Sequence, residues 1–180
     1  MKALIIIDYV NDFVAENGAL TCGKPAQVLD DYISELVEDF SKNGNFVAIA
    51  SDRHPENDVH SPEHGLFPPH CIEGTAGSDL YGKTLERVAK VPAGQLISVD
   101  KCRYSAFAGT NLDIKFRERG VTDLYLTGVC TDICVLHTAI DAYNLGYKIF
   151  VCEKGVASFN AGAHQFALEH MKNALGASIV

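Results

Sequence analysis

Among the residues that could do covalent chemistry, Cys134 is the best placed. It closes the run GVCTDIC (128–134), which follows an apolar, β-prone stretch and opens a segment with helical spacing. Thr131 or Asp132 can cap that helix, putting Cys134 in its first turn. Free N–H groups and the helix dipole there favour a thiolate and could hold an oxyanion. The same position suits a buried structural cysteine, a small hydrophobe, and Cys130, four residues earlier, allows a redox pair. Asp8 and Lys101 each end an apolar stretch of their own. Either alone could be a surface or capping residue. Near a thiol, however, the Lys stabilises both anions, and the Asp can carry a proton to a leaving amine.

A second group lies in residues 52–82, a polar stretch rich in Pro, Gly and His. It holds Asp52, His54, His60, Glu63, His64 and His70. Mixed imidazole and carboxylate donors suit Zn, Fe or Mn without a thiolate, and a solvated polar loop is the other reading. Loops this long inside a compact domain are usually functional.

These residues need a scaffold that brings them together. Residues 2–8, 45–51, 95–100, 121–128 and 147–152 read as strands, with a short sixth at 177–180. Helical spacing covers 26–43, 111–119, 132–145 and 161–175, with stops at Gly44, Gly120, Gly146 and Gly176. Alternating strands and helices imply parallel pairing through right-handed crossovers, and apolar strands imply a sheet covered on both faces. The expected fold is a doubly wound α/β domain over 1–180, with a mainly parallel six-stranded sheet. Ligands in such folds bind at the carboxyl ends of the strands, near the switch in strand order. Asp8, Asp52 with His54, Lys101 and Cys134 all follow strands, so they should converge on one rim.

Bulk properties narrow the function classes. With 47% hydrophobic and 21% charged residues the composition is that of a globular domain. A net charge of −8 without a Lys/Arg cluster argues against nucleic-acid and anionic-membrane partners. The apolar run at 3–7 is too short for a signal or a membrane span. The six cysteines therefore read as free thiols of a cytoplasmic protein. No CxxC, GxGxxG or P-loop occurs.

The chain resembles the isochorismatase-like cysteine hydrolases, and within them the nicotinamidase/pyrazinamidase branch. The segments that carry the likeness are ALIIIDYVNDF (3–13), SDRH (51–54), LFPPHC (66–71), KCRYSAF (101–107) and GVCTDICVLHTAIDAY (128–143). The resemblance implies a triad of Asp8, Lys101 and Cys134. It implies a cis peptide at Val129–Cys130, turning the amides of Cys130 and Cys134 toward an oxyanion. Phe13, Phe67 and Tyr104 match residues that line an aromatic slot; Phe67 stands where a typical member has Trp. Asp52, His54 and His70 match ligands of one divalent metal, with zinc favoured over Fe or Mn, and the fourth ligand is Glu63 or His60, with Glu63 favoured. The implied activity is hydrolysis of nicotinamide, and of pyrazinamide as well, through a cysteine thioester. The implied partners are that small substrate and further copies of the chain in a homo-oligomer. Three other readings are a metal-free hydrolase of another small amide or vinyl ether, a thiol sensor using Cys130 and Cys134, and a non-catalytic interaction module.

Overall fold

The computed structural model describes residues 1–180. Strand β1 (Lys2–Ile7) is its centre, and Ala3 through Ile7 are fully buried. Successive side chains of a strand point to opposite faces. Ala3, Ile5 and Ile7 therefore enter one core, while Leu4 and Ile6 enter another. This is why the run carries no polar alternation.

Strands β2 (Phe46–Asp52), β3 (Leu96–Lys101), β4 (Asp123–Val129), β5 (Lys148–Ala157) and β6 (Ser178–Ile179) complete a sheet in the order β3-β2-β1-β4-β5-β6. Every pairing is parallel. Helices α1 (Asn11–Val14), α2 (Lys24–Gln27), α3 (Asp30–Lys42) and α4 (Gly82–Val88) pack on the Leu4/Ile6 face through Val14, Ala26, Ile33, Val37, Phe40 and Val88. Helices α5 (Leu112–Glu118), α6 (Leu136–Asn144) and α7 (Ala161–Ala174) cover the other face. The chain builds outward from β1 to β3 on one side, then restarts at β4 on the other. The switch in strand order thus lies between β1 and β4, the expected ligand-binding crevice.

Several elements differ from the sequence expectation. The helix expected over 26–43 is split into α2 and α3; its stop at Gly44, with φ 69°, is where the spacing placed it. Helix α4 had no sequence signal because its cap is remote: the Asp30 carboxylate accepts from the Lys83 and Thr84 amides at 2.8 and 3.0 Å. β5 runs five residues past its expected end, after a register irregularity in β4 between Leu126 and Gly128. The expected helix over 132–145 begins instead as a π-helical turn, Thr131–Val135, before α6. Its expected cap is corrected too. No side chain caps the turn; Thr131 Oγ1 pairs with His164 Nδ1 at 2.8 Å, and Asp132 Oδ1 has no partner.

The 52–82 stretch is a long connection with one short 3-10 turn at Ala76–Ser78. Three ties hold it on the rim: bridges His54–Ile72 and Val10–Leu80, and the Asp12 carboxylate accepting from the Cys71 amide at 2.7 Å. No helix is long and apolar enough to cross a membrane.

Candidate active site

The residues at the strand ends meet over the β1–β4 switch. Asp8, one step past β1, has φ 51°, a left-handed conformation uncommon outside glycine but most tolerated by Asn and Asp. Its amide donates to Ala50 O at 3.0 Å, and its Oδ1 accepts from the Asp52 amide at 2.7 Å. The remaining oxygen, Oδ2, meets Lys101 Nζ at 2.7 Å. Lys101, at the end of β3, also donates to Arg103 O at 3.1 Å and lies 3.8 Å from Cys134 Sγ. All three side chains are buried.

Close backbone packing makes this convergence possible. At Gly128 (φ 112°) an added Cβ would overlap the Ile7 carbonyl oxygen. Only glycine lets β4 approach β1 at this level and bring Cys134 over Asp8. The peptide Val129–Cys130 is cis.

Burial decides the charges. It pushes the Asp8 carboxyl up to about 6; Lys101 opposes this and the neighbouring Asp52 carboxylate adds to it. Burial also raises the Cys134 thiol well above its ordinary value, and the Asp8 charge adds to that against Lys101. The resting group is therefore a thiol beside a carboxylate, not the thiolate expected from the helix dipole. Desolvation of the buried sulfur outweighs a one-turn dipole. Lys101 resists the burial that would neutralise it, because the Asp8 and Asp52 carboxylates raise its affinity for the proton.

Asp52, His54, Glu63 and His70 form a second buried cluster, with one ligand atom from each within 4.8 Å of the others. His60 and His64 are exposed and lie outside it. His54 Nε2 lies 2.9 Å from Asp52 Oδ2, and His70 Nε2 lies 3.4 Å from that oxygen and 3.5 Å from Glu63 Oε2. His70 Nδ1 donates to Pro68 O at 2.8 Å, which turns its Nε2 toward the cluster. Burial works against a charge on Asp52, yet hydrogen bonds from His54 and His70 and the charge of Lys101 hold its carboxyl well below the usual range. Burial likewise works against a charge on His70, but Asp52 and Glu63 push it up to about 10. The cluster thus demands positive charge, and Asp52 Oδ1 is buried without a hydrogen bond. Two imidazoles and two carboxylates with an unmatched oxygen fit a divalent cation. The two clusters are joined, since Lys101 Nζ lies 3.6 Å from Asp52 Oδ1.

Between them lies a cleft of about 430 Å3. Phe13, Phe67 and Tyr104 line it with Cys130 and Cys134 at one end and Asp52, Glu63 and His70 at the other. Leu20, Ile133 and Phe159 also line it and had no place in the sequence reading. Phe159 follows the true end of β5, so the strand-end rule would have found it had the strand been read to Ala157. Asp12 was missed as well. It sits four residues past Asp8, and its hydrogen bond to the Cys71 amide anchors the segment carrying His70.

An isochorismatase domain model matches residues 2–179. A Bacillus subtilis isochorismatase family protein, PncA, is 52% identical over 179 residues, covering 99% of this chain and 98% of that protein. A crystal structure of a nicotinamidase/pyrazinamidase PncA from Bacillus subtilis superposes with a TM-score of 0.97 at 52% identity, covering 99% of this chain and 98% of that one. A Pyrococcus horikoshii pyrazinamidase in complex with zinc superposes with a TM-score of 0.88 at 30% identity, again covering 99% and 98%. This chain, whose rim carries those two joined clusters, belongs to the isochorismatase domain family.

Proposed function

We propose that the protein hydrolyses nicotinamide to nicotinic acid and ammonia, and pyrazinamide in the same way. The observation that carries this is the cleft itself. It holds a buried Cys–Asp–Lys group at one end, a four-donor cluster at the other and aromatic walls between. A flat ring with an amide on one edge and a nitrogen lone pair on the other suits that arrangement. Nicotinamidase/pyrazinamidase relatives of the same fold support the substrate.

Cys134 supplies the nucleophile. Its thiol gives a proton to Asp8 as the sulfur adds to the amide carbon. The carbonyl oxygen becomes an oxyanion, which we assign to the Cys130 and Cys134 backbone N–H groups. Asp8 passes the proton to the departing amine, ammonia leaves, and a thioester remains. Asp8 then takes a proton from water as the water attacks the thioester carbon; the carboxylic acid leaves and the proton returns to sulfur. Lys101 keeps its charge throughout and holds Asp8 in line. Phe13, Phe67 and Tyr104 sandwich the ring and exclude water.

Asp52, His54, Glu63 and His70 would hold one divalent ion, which we take to be zinc. When bound, that ion supplies a Lewis-acid contact for the ring nitrogen, which orients the substrate. The test is to incubate metal-loaded protein with nicotinamide and measure ammonia and nicotinic acid. Equal amounts of both are expected; absence of both from folded, metal-loaded protein would remove the proposal.

A further inference from the structure

Cys22 and Cys130 are far apart in the chain, yet their sulfurs stand 2.9 Å from each other. Both are free thiols. Cys22 lies in the connection between α1 and α2, held by its amide donating to Phe13 O at 2.8 Å, and Cys130 directly follows β4. The assigned reaction uses neither side chain. Cys134, the nucleophile, has Lys101 and Asp8 as neighbours. Cys130 and Thr21 form part of the cleft wall, so a small solute in the cleft reaches the Cys130 sulfur, with Cys22 buried directly behind it.

We propose that Cys22 and Cys130 are a modification site, a dithiol that a hydroperoxide entering the cleft oxidises to an intramolecular disulfide. A disulfide holds its sulfurs at about 2.05 Å, so closing the bond needs a shift of less than about 1 Å. Cys130 faces the cleft while Cys22 is buried, so Cys130 meets the peroxide first and is the first nucleophile. Its sulfur attacks one oxygen of the peroxide and the O–O bond breaks. The second oxygen leaves as hydroxide and takes up the thiol proton as water. Cys130 is now a sulfenic acid, oxidised by two electrons. The Cys22 sulfur attacks the Cys130 sulfur; the S–S bond forms, the S–O bond breaks, and hydroxide leaves as water with the Cys22 proton. One hydrogen peroxide becomes two waters, and a dithiol reductant reverses the change.

The bond would tie the connection after α1 to the end of β4, closing a long loop of chain and restricting the unfolded state. The experiment treats metal-loaded protein with hydrogen peroxide, blocks the remaining thiols with an alkylating agent and maps unreduced peptides by mass spectrometry. Two of the six thiols should become unreactive, and one linked peptide should contain Cys22 and Cys130. The melting temperature should rise by several degrees, and dithiothreitol should restore all three observables. Cys22→Ser should abolish the linked peptide. A Cys130–Cys134 linkage, or oxidation of Cys134 or the exposed Cys102 while Cys22 and Cys130 stay alkylatable, would overturn the proposal. The mapping is read on the wild-type chain, so it does not depend on any variant folding.

Discussion

In the proposed mechanism Asp8 receives a proton twice in each turnover, so it must begin as a carboxylate. Its ordinary value of 3.8 is raised to about 6 by burial. Below that pH it is protonated and cannot accept the thiol proton, so kcat/KM should fall about tenfold per pH unit on the acid side, with the break near 6. A pH–rate profile checks this; an acid limb that persists unchanged in Asp8→Asn would mean that another group is the base. Asp8→Asn preserves shape but accepts no proton, and kcat should drop by about two to four orders of magnitude with KM changing far less. Lys101 acts through charge. In Lys101→Ala the alkylation rate of Cys134 should fall and its pH profile move upward, since the only cation that opposes thiol burial is gone. An unchanged profile would separate Lys101 from the thiol.

At the scale of elements, the site depends on how closely β4 approaches β1 and on how the 52–82 connection is pinned. Gly128→Ala should destabilise the protein by about 1–3 kcal/mol or more, because its Cβ overlaps backbone that cannot swing aside. A urea midpoint measures this, and a midpoint unchanged from wild type would refute the close-approach argument. Asp12 belongs to the same scale. Its carboxylate accepts from the Cys71 amide and, at 3.3 Å, from the Ala19 amide, so it ties the His70 segment to the connection after α1. Asp12→Ala should weaken metal binding by about 10–100-fold, the usual reach of a residue that orients a ligand. Competition with a chromophoric chelator gives the affinity directly.

For the whole molecule, the four-donor cluster couples metal binding to stability. A cation that binds the folded chain stabilises it by an amount set by its concentration over its dissociation constant, about 2.7 kcal/mol at a hundredfold excess. Chelation should therefore lower the melting temperature and abolish turnover, and a divalent ion should restore both. His54→Ala and His70→Ala should lose the ion and the thermal shift, and Glu63→Ala should weaken both. His60→Ala should leave both intact, because His60 is exposed and outside the cluster. Metal content per chain, measured on each variant, decides among these.

What the sequence determined by itself is local. Apolar runs announced the strands, spacing announced the longer helices, and residue type at strand ends announced Asp8, Asp52, Lys101 and Cys134. Resemblance supplied the aromatic slot. Tertiary structure shows which donors of the 52–82 stretch face inward, where no period marks a loop: Glu63, which the resemblance already favoured, is buried and His60 is exposed. It decided the protonation of Cys134, since desolvation depends on everything packed around the sulfur rather than on the turn that carries it. It revealed α4, whose cap comes from Asp30, and Phe159, which a register irregularity carries to the cleft. It also chose Cys22, not Cys134, as the sulfur neighbour of Cys130. Such pairings form only when the strand order brings distant segments together, and strand order is set by how the two cores pack against β1.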